Sequence, residues 1–252
     1  MKSLKTLMLA VAGLAGLGMV SAAFGQACSA TNLTAWAGGT SALSGGTVNV
    51  VAGGLDGSAC AMSTVLGTSS ASQATVADTS PNNEPRYRFQ FLLNSDGLSA
   101  LSATDGVVIF AASGATTVNG RRGIIQVALV PASGGNKRLS FNYSCNNGTT
   151  FRCSANTGTN NLVAGVNRIE FDVQMATSGA NGSIRYWLNA AAGTTEPAVT
   201  GQITGIDNSA WVGTKIVALG LGSPVPSYSS AHHGQAVLFD AFDSRRQTYI
   251  GY

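Results

Sequence analysis

Charge is scarce in this sequence: Asp, Glu, Lys and Arg together make up 10% of its 252 residues, and histidine occurs twice. Disordered chains usually combine high net charge with few apolar residues, so the 44% apolar content indicates a folded protein. Nucleic-acid binding needs a clustered basic surface, whereas the pairs Arg121-Arg122 and Arg245-Arg246 are isolated and are interpreted as solvated surface. The sequence therefore excludes nucleic acid as a partner.

The chain also lacks helical periodicity: after residue 27, no apolar pattern of helical period runs for ten residues or more. Short alternating segments recur instead, separated by Gly, Asn, Ser and Pro, as in "RYRFQFLL" (Arg86–Leu93). "GVVIFAA" and "IIQVALV" are more uniformly apolar, which predicts central strands covered on both faces. Roughly ten such strands predict an all-β antiparallel sandwich or barrel.

The first 27 residues have the pattern of a secretory signal peptide. Lys2 and Lys5 precede an apolar run from Leu7 to Val20, and small residues follow it. The run is short for a membrane span of about 20 residues, so we expect none in the mature chain. We therefore predict a signal peptide over 1–27 and one domain over 28–252, secreted or periplasmic and, from its Ala/Gly-rich composition, bacterial. The Gly/Ser-rich segment 28–78 is expected to form edge strands or a loosely packed extension.

Four cysteines follow the leader, and export permits disulfides. Three pairings are possible, and proximity in sequence favours Cys28–Cys60 and Cys145–Cys153. The second pair brackets an Asn-Gly turn, so its cysteines can meet across a hairpin. Neither pair has metal-ligand spacing, and the two histidines, His232 and His233, are adjacent on the chain. We expect two disulfides and no transition-metal site.

The stretch "GVNRIEFDVQM" places polar residues on one face of a strand and apolar residues on the other. Glu170 and Asp172 lie on the polar face, and the following strand offers Arg185, Trp187 and Asn189 on its own polar face. A four-residue turn between the strands would pair Asp172 with Trp187. Aromatic and polar side chains together favour sugar binding by stacking and hydrogen bonds, so these five residues are the candidate ligand-binding patch.

The order "GVNRIEFDVQMATSGANGSIRYWLNAAAG", "KIVALGLGS" and "GQAVLFDAFDSRR" resembles the second half of laminin-G-like or concanavalin A-like jelly rolls. The resemblance spans about Arg86 to Arg246 and implies a jelly-roll β-sandwich. The superfamily includes lectins, adhesion modules, glycosidases and polysaccharide lyases, so fold alone does not decide function. We expect no cofactor, although the resemblance leaves structural calcium open. The candidate calcium ligands are Asp96, Asp105, Asp240 and Asp243.

Two enzyme classes of this superfamily stay as alternatives. Laminarinase-type glycosidases carry Glu-x-Asp-x-Glu along one strand; here Glu170 and Asp172 match, but Gln174 stands in the third position and cannot transfer a proton.

Polysaccharide lyases need a Tyr or His base and a positive group that neutralises the uronate. "SYSSAHHG" offers Tyr228, His232 and His233, with Arg88 and Arg185 as cations. The Arg-x-Glu and Gln-x-His strand motifs associated with such lyases do not occur.

A non-catalytic module that binds a polysaccharide or a cell-surface glycan needs the fewest special residues, so it is the preferred function, with an enzyme disfavoured. A pilus-like structural or adhesion subunit is a further alternative, because Cys28 and Cys60 form an early pair and Tyr252 is an aromatic residue at the end of the sequence.

Overall fold

A computed structural model describes residues 28–29, 33–34, 36–149, 151–191, 193, 195–245 and 248–251. The predicted signal peptide and Tyr252 lie outside these residues. In chain order the elements are β1 (Gly39–Leu43), β2 (Thr47–Ala52), β3 (Cys60–Val65), β4 (Gln73–Asp78), β5 (Arg86–Asn94), β6 (Val107–Val118), β7 (Arg121–Pro131), β8 (Lys137–Tyr143), β9 (Cys153–Asn161), β10 (Val166–Gln174), β11 (Gly182–Leu188), β12 (Gly201–Ile206), β13 (Thr214–Gly222), α1 (Pro226–His232) and β14 (Ala236–Arg245).

The strands form two seven-stranded antiparallel sheets that pack face to face. Sheet A has the order β1-β4-β13-β6-β7-β8-β9, and sheet B has the order β12-β11-β10-β5-β14-β3-β2. The prediction of an antiparallel β-sandwich is therefore confirmed. The segment 28–78 supplies the edge strands β1 and β2, and also β3 and β4, which lie inside the two sheets.

Aromatic rings fill the space between the sheets. The alternation that we read in β5 and β10 directs Phe89 and Phe171 inward, and both are fully buried. Phe89 of sheet B stacks on Phe110 of sheet A with ring centroids 3.8 Å apart, so the two sheets contact directly at their centre. Such aromatic pairs contribute about 0.5–1.5 kcal/mol beyond the burial of their area.

Both predicted disulfides are present, Cys28–Cys60 and Cys145–Cys153. The first joins the N-terminal segment to the start of β3, and the second closes the connection between β8 and β9. Disulfides persist in oxidising compartments, so they fit a secreted protein. Among the residues that the structure describes, no helix has the length and apolar character needed to cross a membrane.

The solvent exposure of the central strands is the reverse of the prediction. β5, expected to have one wet face, is buried on both, because Arg88 and Gln90 are covered. β6 and β7, expected to be covered on both faces, turn Ala111, Gln126 and Ala128 to a partly exposed outer surface. Alanine side chains on β6 and β7 can stay partly exposed at little cost, whereas the buried Arg88 of β5 is stabilised by the ion pairs described below.

Candidate functional site

Four residues of the predicted ligand-binding patch lie on the outer face of sheet B, and three of them, Glu170, Asp172 and Arg185, belong to a network of ion pairs. Asp172 accepts hydrogen bonds from Arg86 Nη2 at 2.7 Å and from Arg185 Nη2 at 2.5 Å. Glu170 accepts one from Arg88 Nε at 2.5 Å. We call the group of three arginines and three carboxylates here the charged cluster; its members are Arg86, Arg88, Glu170, Asp172, Arg185 and Glu196.

Two segments cover the charged cluster. Glu196 binds Arg88 Nη1 at 3.0 Å, and the neighbouring Pro197 carbonyl accepts the indole N–H of Trp187 at 3.1 Å. Near the C-terminus, the Tyr249 ring lies 4.9 Å from the Arg88 guanidinium, and the Ile250 amide donates to Glu170 at 3.3 Å. Glu170, Asp172 and Trp187 are consequently at most 2% exposed.

The pKa values of the two buried carboxyl groups shift in opposite directions. Burial raises the pKa of Glu170, and the hydrogen bond and charge of Arg88 offset only part of that effect. Burial also acts to raise the pKa of Asp172, but the hydrogen bonds from Arg86 and Arg185 outweigh it and leave this pKa lowered. The effect of burial is offset more strongly at Asp172 because two arginines, Arg86 and Arg185, bind the same carboxylate.

The pairing of β10 with β11 differs from the predicted register by two residues. Asp172 stands opposite Arg185, and Glu170 stands opposite Trp187, with Met175 to Asn181 forming the connection between the two strands. The Ala176 amide donates to the Asn208 side chain there, which holds the longer turn open. An even shift preserves the faces of a strand, so four predicted residues still share one face. Asn189 lies beyond β11, where its side chain accepts from the Arg168 amide. The role of these five residues in ligand binding stays a prediction.

The residues considered for a lyase site are not brought together as predicted. Tyr228 and His232 are buried on α1, and His233 is exposed beside them. Arg88 and Arg185 belong to the charged cluster on sheet B, and the hydrogen bonds and ion pairs within the described residues link neither of them to α1. A lyase site must therefore be sought elsewhere on the sandwich.

Three of the four calcium candidates accept hydrogen bonds from backbone amides. Asp96 accepts from the Gly165 amide at 2.7 Å, Asp105 from the Ser102 amide at 2.7 Å, and Asp240 from the Leu55 amide at 2.8 Å. Asp243 lies on β14 opposite Gln90. The described residues contain no group of three His, Cys, Asp or Glu side chains that would hold a metal ion. Structural calcium stays a prediction.

The outer face of sheet A carries a line of small or uncharged polar residues that crosses all seven strands. Successive partners in the strand registers connect one residue on each strand, and all seven are at least partly exposed. We call this line the transverse row: Gly39, Ala77, Ala218, Ala111, Gln126, Asn142 and Ser154. With neighbouring strands about 4.8 Å apart, the row extends roughly 29 Å. It is a shallow floor long enough for an extended polymer.

A cavity opens at the polar end of the transverse row. Its volume is about 180 Å³, and we call it the end cavity; it is lined by Arg121, Gly123, Gln126, Asn142, Tyr143, Phe151 and Arg152. Two arginines and no carboxylate are among these lining residues, so the cavity favours an anion. The Arg152 guanidinium donates to Gln126 Oε1 at 3.2 Å, so the oxygen of the Gln126 amide is engaged and its N–H groups are the ones that can donate to a ligand.

Local structure explains how these side chains converge. The disulfide Cys145–Cys153 closes the connection after β8, and Cys153 pairs with Tyr143 in the strand register. Phe151 and Arg152 immediately precede Cys153, so the closed loop holds them beside Tyr143. Burial raises the pKa of the Tyr143 hydroxyl, which keeps it protonated at neutral pH.

Sequence reasoning missed the end cavity. Arg121 was interpreted as part of a solvated pair, and Tyr143, Phe151 and Arg152 were not singled out. The available signal was the hairpin disulfide, which places an arginine and two aromatic residues within one short loop and its flanking strand.

No protein-family profile matches the chain, and no curated protein is similar to it in sequence. Solved structures share its fold. An endo-β-1,4-glucuronan lyase from the fungus Trichoderma reesei aligns with a TM-score of 0.59 at 11% identity, covering 82% of this chain and 90% of that one. The alginate lyase vAL-1 from Chlorella virus aligns at 0.55 and 14% identity, over 87% of this chain and 98% of that one. The binding domain of botulinum neurotoxin serotype C1 aligns at 0.51 and 11% identity, over 81% of this chain and 44% of that one.

These similarities establish the fold, a jelly-roll β-sandwich; membership of the concanavalin A-like or laminin-G-like superfamily stays an expectation from the sequence. They also correct the functional preference. The sequence favoured a non-catalytic binding module and disfavoured an enzyme, but several neighbours are glucuronan or alginate lyases. The enzyme alternative, and within it the lyase, takes precedence over that expectation. None of the neighbours named here is a pilus subunit.

Proposed function

We propose that this protein is a polysaccharide lyase that acts on a uronate-containing polymer bound along the transverse row. The observation that carries the proposal is the end cavity, where two arginines, two amides and one tyrosine meet on an open face of the sandwich. The lyases with the same fold support the choice of reaction class. The predicted export of the mature chain, residues 28–252, agrees with an extracellular polymer as substrate.

Recognition of the uronate follows from the charges in the end cavity. Guanidinium groups bind carboxylates through paired hydrogen bonds, and Arg121 and Arg152 supply them here. Gln126 and Asn142 are partners in the strand register, so their amide groups lie side by side at the cavity floor. Withdrawing charge from the carboxylate makes the hydrogen on the adjacent carbon, C5 of the sugar, more acidic.

The elimination needs a group that moves one proton. The C5–H and C4–O4 bonds break, a C4=C5 double bond forms, and O4 leaves with a proton. We assign the proton transfer to Tyr143, the one lining residue with a hydroxyl group. As phenolate it accepts the C5 proton and, as phenol, returns it to O4. The phenolate fraction, and with it the rate, increases as the pH rises towards the pKa of Tyr143, which burial raises.

The test is the release of ultraviolet-absorbing unsaturated ends from glucuronan, alginate and polygalacturonate. Tyr143→Phe removes only the hydroxyl group and keeps the ring, so we expect a loss of roughly 100-fold or more in rate with little change in stability. Arg152→Gln is expected to weaken substrate binding. The matched control is Arg122→Gln, since Arg122 is the neighbour of Arg121 on β7 but does not line the cavity.

Two results would contradict the proposal. One is the absence of unsaturated product from all three polymers while the folded protein is assayed at neutral and alkaline pH. The other is a lyase activity that Tyr143→Phe leaves unchanged, which would move the reaction to another surface.

A further inference from the structure

A second set of reactive side chains lies where the connection after β5 meets α1. His232, the last residue of α1, is 2% exposed. Its Nε2 lies 2.9 Å from Asp105 Oδ2, and its Nδ1 lies 3.1 Å from Ser99 Oγ. The three residues are brought together from distant parts of the sequence, and Ser99 is exposed to solvent. The end cavity contains none of them.

The tautomer of His232 follows from its partners. The Asp105 carboxylate can only accept, so the proton of a neutral imidazole sits on Nε2 and points at Asp105. The Nδ1 lone pair therefore faces the Ser99 hydroxyl and can accept its proton. Burial acts to raise the pKa of Asp105, but hydrogen bonds from His232 and Ser102 outweigh it, so the carboxyl group is ionised.

We propose that Ser99, His232 and Asp105 form a nucleophile, base and orienting acid that hydrolyse carboxylic esters, with acyl esters carried on a carbohydrate as the substrate class. An exposed hydroxyl bound to an imidazole, which is itself held by a buried carboxylate, is the arrangement that activates serine as a nucleophile. The choice of a carbohydrate as the alcohol part rests on the proposed function; the ester chemistry does not.

An ester hydrolase also needs a donor for the oxyanion and space for the substrate, and both lie near these residues. Gln235 Nε2 lies 3.2 Å from Ser99 Oγ, where an amide N–H can stabilise the oxyanion of an attacked carbonyl. The Gln235 Oε1 atom accepts the Ser99 amide at 2.8 Å, which fixes this side chain. A cavity of about 640 Å³ borders the same connection, lined by Leu101, Ala103, Thr104 and Asp105 on one side and by Val130, Pro131, Ala132, Ser133 and Arg138 on the other.

This cavity continues the outer surface of sheet A. Val130 follows Gln126 and Ala128 on alternate positions of β7, so the cavity lies on the same face as the transverse row, about 13 Å along the strand from it. Ser99 Oγ bonds to the acyl carbon as its proton passes to His232 Nδ1, and the alcohol leaves with that proton. Water then cleaves the acyl-serine, which releases the carboxylic acid and restores the Ser99 hydroxyl.

The experiment combines p-nitrophenyl acetate hydrolysis with labelling of the full protein by a fluorophosphonate and mass analysis of the labelled peptide. We expect label on Ser99, and a loss of roughly 100-fold or more in ester hydrolysis for Ser99→Ala and for His232→Gln. Ser230→Ala is the matched control, since Ser230 is an exposed serine on α1 whose hydroxyl donates to the Pro226 carbonyl. It should keep both label and rate.

Tyr143→Phe separates the two proposals, because it should abolish elimination and leave ester hydrolysis intact. Should His232→Gln fail to fold, Ser99→Ala still decides, because it removes one exposed hydroxyl and leaves the His232–Asp105 pair in place. Two results would overturn the proposal: label on a residue other than Ser99, or no label while a reference serine esterase labels fully. Either result would mean that the three residues only hold α1 against the connection after β5.

Discussion

Replacing Arg88 with methionine should destabilise the protein far more than replacing any exposed arginine. Arg88 is 0% exposed, and it contacts Glu170 at 2.5 Å, Glu196 at 3.0 Å and the Trp187 ring at 4.3 Å. Methionine keeps the apolar stem but leaves the buried Glu170 carboxylate without its cation. Breaking a buried ion pair in this way costs about 3–5 kcal/mol. For a chain of this size each kcal/mol lowers Tm by about 2–4 °C, so the shift is roughly 6–20 °C.

The measurement is urea unfolding followed by tryptophan fluorescence, for which Trp187 is a local reporter. Arg122→Met is the control, because Arg122 is exposed and should change the free energy of unfolding by no more than about 0.5 kcal/mol. The double variant Arg88→Met with Glu170→Gln removes the orphaned charge. It should recover part of the loss, with a coupling of about 0.5–3 kcal/mol.

A loss below about 1 kcal/mol for Arg88→Met would refute this reasoning, since exposed ion pairs contribute no more than that. An additive double variant would refute it equally, because it would mean that Glu170 does not depend on Arg88.

Three further predictions concern pH and the hairpin disulfide. As pH falls from 7 to about 4, the wild type should gain stability relative to Glu170→Gln, because the raised pKa of Glu170 lets the native state bind a proton before the unfolded state does. Over the same range it should lose stability relative to Asp172→Asn, because the lowered pKa of Asp172 makes the native state resist protonation. Urea unfolding at both pH values tests these opposite signs. Replacing Cys145 and Cys153 by serine should cost about 2–3 kcal/mol in urea unfolding and reduce lyase activity more than Cys28–Cys60 removal does, because it releases the loop beside the end cavity. Lyase activity should keep rising between pH 7 and about 10 if Tyr143 is the base, and a profile that is flat in this range would exclude that role.

The alternation of apolar residues predicted the sandwich and its core, because the period of two depends only on local chain geometry. Phe89 and Phe171 were assigned to the core by this pattern alone. It did not predict which outer face stays open. The pattern of β5 shows that Arg88 faces away from the core, but its cover comes from Glu196 and Tyr249, over 100 residues later in the chain.

The candidate sites depend on how strands and loops that are distant in the chain pair with one another, and this pairing cannot be deduced from a single sequence. Gln126 and Asn142 become neighbours only through the pairing of β7 with β8. Asp105 and His232 are separated by 127 positions, and neither stands in a recognisable motif. The predicted turn between β10 and β11 failed for the same reason, since the Asn208 side chain that holds it belongs to a distant segment.

The transverse row has a consequence for how reaction rate depends on substrate length. Its floor is made of strand residues, with methyl groups at Ala77, Ala218 and Ala111 and polar side chains at the other end, so each added sugar gains contact without any loop having to close. Oligosaccharides shorter than the row occupy it only in part and can slide, whereas chains that bridge all seven strands fix one sugar over the end cavity. Catalytic efficiency should therefore climb with the degree of polymerisation and level off at the oligomer whose length equals the width of the sheet.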